Sequence, residues 1–271
     1  MCVWAKEAGC PWDARICAAA ALQGNLEVLK YVRENGCSWD WRTYQLAGNN
    51  TVKEWAHLNG CPDGIVTFFG EKPVTIHAKE LQTTLTLSYR RLKVIPAEIG
   101  QLVNLTYLNL VGNNISVIPA EIAQLVNLTV LYLSGNNISI IPPEITQLVN
   151  LTYLNLGGNN ISVIPAEIAQ LVNLTGLYLS GNNISIIPPE ITQLVNLKYL
   201  GLGGNKISVI PPELAQLVNL TYLFLEHNKI SVIPTEITQL VNLTELWLGD
   251  NNISIIPPEI TQLVNLTTRF R

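Results

Sequence analysis

A glutamate recurs every 23 residues, at Glu98, Glu121, Glu144, Glu167, Glu190, Glu213, Glu236 and Glu259. Carboxylates in a regular row could hold metal ions or trade protons. Here there is one carboxylate per period, beside the start of a short helical turn. That is the pattern of a solvated row whose charge faces helical N-termini. Asn-Leu-Thr recurs at Asn104, Asn127, Asn150, Asn173, Asn219, Asn242 and Asn265, and Asn-Ile-Ser at Asn114, Asn137, Asn160, Asn183 and Asn252. These are formal N-glycosylation acceptors. With no secretion signal at the N-terminus, they read as by-products of the repeat. The five cysteines, Cys2, Cys10, Cys17, Cys37 and Cys61, contain no C-x-x-C pair of the kind a zinc site uses. They are expected to be small buried apolar side chains. The histidines stand apart at His57, His77 and His227, and no Ser/His or Cys/His arrangement can be assembled. Gly157-Gly158 and Gly203-Gly204 belong to repeat turns, not to a phosphate-binding loop. The expectation is no enzyme, no cofactor and no metal.

The elements that position these residues come from the same period. From Leu105 the chain cycles through L-x-x-L-x-L-x-x-N-x-I and then x-x-I-P-x-E-I-x-Q-L-V-N. Leu108 and Leu110 alternate with Tyr107 and Asn109, which predicts a strand with one buried face. The Ile118-Pro119 step halts any long helix, and Glu121-Ile122-x-x-Leu125 suffices for one helical or 3-10 turn. A row of asparagines stands where the chain leaves each strand: Asn113, Asn136, Asn159, Asn182, Asn205, Asn228 and Asn251. A buried amide there can satisfy turn backbone groups. A degenerate first copy keeps Leu85, Leu87 and Leu92 but has Gln82 and Arg90 in place of the first Leu and the Asn. No copy can bury its apolar edge alone, so about eight stacked copies form one continuous core.

This pattern resembles the leucine-rich repeat, in the 23-residue class of Scribble/Erbin-type proteins and plant intracellular Ras-group repeat proteins. The resemblance covers roughly residues 82–266. It implies an α/β solenoid, a horseshoe with parallel strands on the concave face, that binds a protein partner there. Residues 115–160 and 161–206 differ only at Val130/Gly176, Thr152/Lys198, Asn155/Gly201 and Asn160/Lys206, which points to duplication of a pair of repeats.

The residues flanking the strand leucines vary most and should face outward. Tyr107, Tyr132, Tyr153, Tyr178 and Tyr199 zigzag along that face, and Tyr222, Phe224 and Trp247 continue it. Gly176 and Gly201 should leave gaps beside them. Tyr and Trp are favoured binding anchors, although cross-strand aromatic pairs can also simply stabilise a sheet. Glu226, His227, Glu245 and Asp250 place an acidic corner near Trp247, suited to a basic segment. The partner-binding expectation is therefore Tyr107, Tyr132, Tyr153, Tyr178, Tyr199, Tyr222, Phe224, Glu226, Glu245 and Trp247. Glycan binding is an alternative, since aromatic stripes also stack on sugars.

Composition divides the 271 residues. All cysteines and five of six tryptophans precede Val94; the first 93 residues carry about +2 and the rest about −6. An overall charge of −4 argues against a nucleic-acid partner. No apolar run reaches membrane-spanning length and no signal peptide is seen, so an intracellular, cytoplasmic protein is expected. Residues 1–64 hold a second, weaker repeat: Gly9-Cys10-Pro11-Trp12-Asp13, then Gly36-Cys37-Ser38-Trp39-Asp40, then Gly60-Cys61-Pro62-Asp63. With the Ala-rich stretch after Cys17 and Leu26-Glu-Val-Leu-Lys30, this resembles ankyrin repeats of the cysteine- and tryptophan-rich kind in large DNA viruses of amoebae. It implies a small helical head capping the solenoid and offering a second contact surface, as in an adaptor. Residues 65–81 read as a junction and 82–271 as the solenoid. After Leu266 only Thr-Thr-Arg-Phe-Arg follows. The last repeat therefore reads as bare, to be covered by the tail or by a second copy in a homodimer, or else the sequence is cut short there.

Overall fold

The structure, a computed structural model, describes residues 13–61, 64–70, 73–77 and 83–269. Its contacts divide it into two units, residues 1–67 with 74–82 and residues 68–73 with 83–271. Cys2, Cys10, Trp12, Pro62 and Gln82, invoked above, lie outside the described residues.

The first unit holds two helix–turn–helix pairs. Helices α1 (Ala14–Leu22) and α2 (Leu26–Glu34) form the first; α3 (Trp41–Gln45) and α4 (Asn50–Leu58) form the second. Each helix starts at an Asp or Asn whose side chain accepts a hydrogen bond from a first-turn N–H: Asp13, Asn25, Asp40 and Asn49. Cys17, Ala20, Ala21, Leu29, Val32, Cys37 and Val52 pack into one core. The two pairs repeat one contact: Cys37 Sγ lies 3.1 Å from the Asp13 carbonyl, and Cys61 Sγ 3.3 Å from that of Asp40. Burial raises the Cys17 thiol pKa above its ordinary range and pushes that of Cys61 up to about 12. These thiols thus stay protonated and behave as small apolar groups.

The stretch read as a junction contains a two-stranded sheet, β1 (Ile65–Phe68) with β2 (Val74–His77). Turn punctuation at Pro62, Gly64, Gly70 and Pro73 masked two short runs of β-branched residues.

In the second unit each repeat contributes one strand of two or three residues: β3 (Thr84–Thr86), β4 (Tyr107–Asn109), β5 (Val130–Tyr132), β6 (Tyr153–Asn155), β7 (Gly176–Tyr178), β8 (Tyr199–Gly201), β9 (Tyr222–Phe224), β10 (Glu245–Trp247) and β11 (Thr268–Arg269). They form one nine-stranded parallel sheet in chain order. The registers join equivalent residues, as Leu108↔Leu131↔Leu154. This is a leucine-rich repeat solenoid. The central leucines are buried, as are Leu110, Ile115, Ile118, Ile122, Leu125 and Leu128 and their equivalents up to the last repeat, where Ile253 is partly buried and Ile256 exposed. Each such side chain contributes about 1.5–3 kcal/mol of burial. On the opposite side from the strands, each Ile-Pro step leads into a five-residue 3-10 turn, such as Ala120–Gln124, in which the Ile122 N–H donates to the Pro119 carbonyl. The glutamate row sits at the second residue of these turns. The tail continues the sheet through β11, with Glu245 opposite Thr268.

The asparagines after the strands stitch neighbouring repeats together. Asn159 Oδ1 accepts from the Ile138 N–H at 3.0 Å, while its Nδ2 donates to the Leu133 and Leu156 carbonyls at 3.0 and 2.9 Å. Each interior leucine carbonyl receives two amides: that of Leu156 also accepts from Asn182. One position before each asparagine the chain takes a left-handed turn. Gly112, Gly135, Gly158, Gly181 and Gly204 hold this column at φ between +61 and +68°, and His227 and Asp250 hold it at +54 and +53°. Glycine is the residue that adopts this conformation without a Cβ penalty.

Candidate functional site

The sheet has one face packed on the core, so the residues flanking each central leucine form the other. Register fixes two columns on it. One reads Tyr107, Val130, Tyr153, Gly176, Tyr199, Tyr222, Glu245; the other reads Asn109, Tyr132, Asn155, Tyr178, Gly201, Phe224, Trp247. The rings therefore alternate between columns, and with strands about 4.8 Å apart they come within contact.

They gather in two groups. Tyr107 and Tyr132 meet edge to face at 5.7 Å. A longer group begins with Tyr178 stacked on Tyr199 at 4.2 Å, continues from Tyr199 to Tyr222 at 5.5 Å and to Phe224 at 5.0 Å, and ends with Phe224 edge-on to Trp247 at 5.1 Å. Tyr153 stands between the groups and is 39% exposed; Tyr222 is 36% exposed, and the other rings are half-buried. The gaps expected at Gly176 and Gly201 do not exist. Gly176 is buried beneath its neighbours, and a Cβ there would come within 2.7 Å of Tyr153 and 2.8 Å of Tyr178. Gly201 is likewise covered, by Tyr199 and the Ser180 hydroxyl. The glycines let the tyrosines lie down on the sheet. Partial burial raises the phenol pKa of Tyr132 and Tyr178, and pushes that of Tyr199 up to about 12 with help from Tyr178, Glu226 and Glu245. These three phenols stay neutral at neutral pH.

Of the acidic residues near Trp247, two are paired and Glu226 is not. His227 Nδ1 lies 3.0 Å from the Asp250 carboxylate, both exposed on the left-handed column. Glu245 Oε2 accepts from the Trp247 indole N–H at 3.0 Å. Glu226 folds its carboxylate over Gly203, where a Cβ would collide with Oε1, and its Oε2 is buried with no hydrogen-bond partner. Nothing in the residue pattern signals that orphaned oxygen. It follows from the empty Cβ position at Gly203.

Two further features escape a reading of the sequence. The Asn-Leu-Thr triplets are hydrogen-bonding devices: Asn127 Nδ2 donates to the Val103 carbonyl at 2.9 Å, and the Thr129 hydroxyl to the Thr106 carbonyl at 2.9 Å. The same pairing recurs at Asn150/Thr152 and Asn173/Thr175. The nitrogen that a glycan would occupy is thus already engaged. Away from the strands, Val94, Val117, Ile140, Val163, Ile186, Val209, Val232 and Ile255 form an aliphatic row exposed by 51 to 75%. Among the described residues no group of three or more His, Cys, Asp or Glu side chains could hold a metal ion. No helix among them is long and apolar enough to cross a membrane.

Comparison with known proteins agrees with this geometry. A family described as leucine rich repeat matches residues 83–138 and 195–253, and one described as leucine rich repeats in two copies matches 126–166 and 172–212. Among solved structures, a leucine-rich repeat protein of Leptospira interrogans is 41% identical with a TM-score of 0.65, over 70% of this chain and 48% of its own. The chain thus spans about half the length of that protein. An internalin C2 from Listeria monocytogenes is 32% identical, TM-score 0.66, over 73% of this chain and 85% of its own. The leucine-rich repeat ectodomain of an Arabidopsis thaliana membrane receptor kinase, GASSHO1/SCHENGEN3, solved in complex with CASPARIAN STRIP INTEGRITY FACTOR 2, is 31% identical, TM-score 0.62, over 72% of this chain and 25% of its own. No curated protein matches the chain.

Proposed function

We infer the function from one premise: this chain belongs to the leucine-rich repeat family, whose domains generally mediate protein–protein interaction. On our reading it binds a protein partner on the strand-side face, through the rings from Tyr107 to Trp247. The observation that carries this reading is the aromatic surface in two ring groups, which turns away from the core and stays half open to solvent. Its rings are braced by one another and by the glycines beneath them, so little side-chain freedom remains to be lost on binding. The plant receptor ectodomain, solved with a bound factor, makes a protein ligand a reasonable expectation here. We read the two helix pairs of the first unit as ankyrin-like and as a second contact surface, which would make the whole an adaptor.

The test is capture of partners from a cell lysate by the native chain and by a Tyr153→Ala/Tyr178→Ala/Tyr199→Ala variant, with circular dichroism to check the fold. A partner lost only with the variant supports the reading; equal recovery refutes it. A second reading, self-association at the last repeat, is favoured by the exposure there of Ile256 (45%, against 2–3% for its equivalents from Ile118 to Ile233) and Val264 (80%). Light scattering over a wide concentration range tests it, and a single monomer mass throughout would exclude it.

A further inference from the structure

The first repeat departs from the others where the chain leaves its strand. Every later copy has Asn at the position of Arg90, Asn or Lys at that of Arg91, and Ser at that of Lys93. Here three cations fall within four residues, all of them exposed, in a chain whose net charge is −4. The backbone between them is also set differently. Asn113 Oδ1 accepts from the N–H groups of both Arg90 and Leu92, at 3.0 Å each, whereas Asn136 and Asn159 accept from one such N–H. Arg91, held between those two bonds, takes φ +56°, a left-handed turn that no residue at its position in the later copies takes.

The segment Phe69–Gly70 packs on this turn and belongs to the same compact unit. A Cβ on Gly70 would come within 2.9 Å of Leu92 Cδ2 and nearer still to the Arg90 carbonyl oxygen, so only glycine allows this approach. Phe69 is thereby held beside the turn with 62% of its surface open to solvent. Phe69, Gly70, Arg91, Lys93 and Val94 line one open cavity of about 620 Å³. That volume is in the range of small-molecule sites, about 300–1,000 Å³. Phe69 and Val94 supply apolar walls, and Val94 is the first of the exposed aliphatic row. Lys93 makes no ion pair among the described residues, so its ammonium stands at the cavity without a carboxylate. Glu71 and Lys72, next in the sequence after Gly70, add no net charge.

We propose that this cavity binds a small apolar anion, its hydrocarbon body seated against Phe69 and Val94 and its charged group on Lys93 and Arg91. A bare inorganic anion would leave the apolar walls unused, and a neutral hydrocarbon would cover the ammonium without pairing it. An amphiphile with one anionic group meets both demands, with charge-assisted hydrogen bonds from the cations. The site lies away from the strands and stands whether or not the strand-side face binds a protein.

The probes are 8-anilinonaphthalene-1-sulfonate and N-phenyl-1-naphthylamine, the same skeleton with and without the anionic group. Both are titrated into the full chain and followed by their fluorescence. The sulfonate should saturate and bind about tenfold tighter than the neutral dye, the factor expected of one charge-assisted contact. Octanoate should displace it and octanol should not. Lys93→Gln should bring the sulfonate down towards the neutral dye and leave the neutral dye unchanged, and Phe69→Ser should weaken both severalfold. Lys229→Gln removes an exposed cation from the Arg91 position six repeats away and should change nothing. Lys93 and Phe69 are exposed, so both variants should fold, which circular dichroism checks. Equal affinity for the two dyes, no binding of the sulfonate, indifference to Lys93→Gln, or an equal loss with Lys229→Gln overturns the proposal.

Discussion

Replacing Asn159 by alanine should cost about 3–5 kcal/mol of stability. The figure follows from what each partner retains. Asn159 makes three strong bonds, to the Ile138 N–H, the Leu133 carbonyl and the Leu156 carbonyl. The Leu133 carbonyl keeps Asn136 and the Leu156 carbonyl keeps Asn182, so neither is stranded. Each of those losses costs about 1 kcal/mol. The Ile138 N–H is buried and makes no other hydrogen bond, which adds about 1–3 kcal/mol for an unmet donor. Asn251 makes the equivalent bonds near the end of the stack but is only partly buried, so solvent can replace them. Asn251→Ala should therefore cost about 1 kcal/mol or less. Urea denaturation of the three proteins, followed by circular dichroism, gives the two differences. A cost below about 1 kcal/mol for Asn159→Ala, or equal costs at the two sites, would refute the argument that the doubly served carbonyls and the single donor set the scale.

Other outcomes follow from single residues. Gly158→Ala should cost about 1–2 kcal/mol, because φ is +61° there and the nearest atom to a Cβ is an ordinary 3.5 Å away, leaving strain as the only source. His227→Ala, at φ +54° with its Cβ already present, should cost under about 0.5 kcal/mol; similar losses at both sites in thermal melts would contradict this. Glu226→Gln should leave the free protein at least as stable as the native chain, since it removes a carboxylate with a buried, unpaired oxygen. A destabilisation of more than about 1 kcal/mol would mean that the charge has a partner after all. Tyr199 titrates near 12 in the folded chain against about 10 when unfolded, so between those values the unfolded state releases a proton that the folded state keeps. Stability should be insensitive to this group below pH 10 and fall as pH rises from about 10 to about 12, and Tyr199→Phe should flatten that fall in melts at pH 9 and 11.5.

Much of the fold could be read from residue types because the repeat is strict. The alternation of Leu108 and Leu110 with Tyr107 and Asn109 specifies a strand and its buried face, and Ile118-Pro119 marks where a helical turn starts. The order of rings along the outer face follows from the same register. What the pattern could not carry was side-chain direction. Gly176 looked like a gap until the rings of Tyr153 and Tyr178 were seen lying across it, and the orphaned oxygen of Glu226 depends on a rotamer that no spacing encodes. Asn127 and Thr129 matched a modification motif whose short length hides their use as inter-repeat donors. The strands Ile65–Phe68 and Val74–His77 were lost among turn-forming neighbours, where four-residue alternations are too short to outweigh Pro and Gly.

Because every asparagine bond to the preceding repeat spans the same offset, the stack has no privileged position along its interior. Asn136, Asn159 and Asn182 each reach back 26 residues for one carbonyl. Excising residues 115–160 would bring Asn114 against Ile161 and restore the partner of every bond across the scar, because 161–206 nearly copies what was removed. Unequal recombination between the copies could then lengthen or shorten the aromatic face in steps of two strands, about 10 Å, without repairing a core. The same equivalence operates while the chain folds: a strand docked on the wrong copy finds the same leucines and the same amides, so register-shifted intermediates are near-degenerate with the native stack and must unzip from an end to correct themselves.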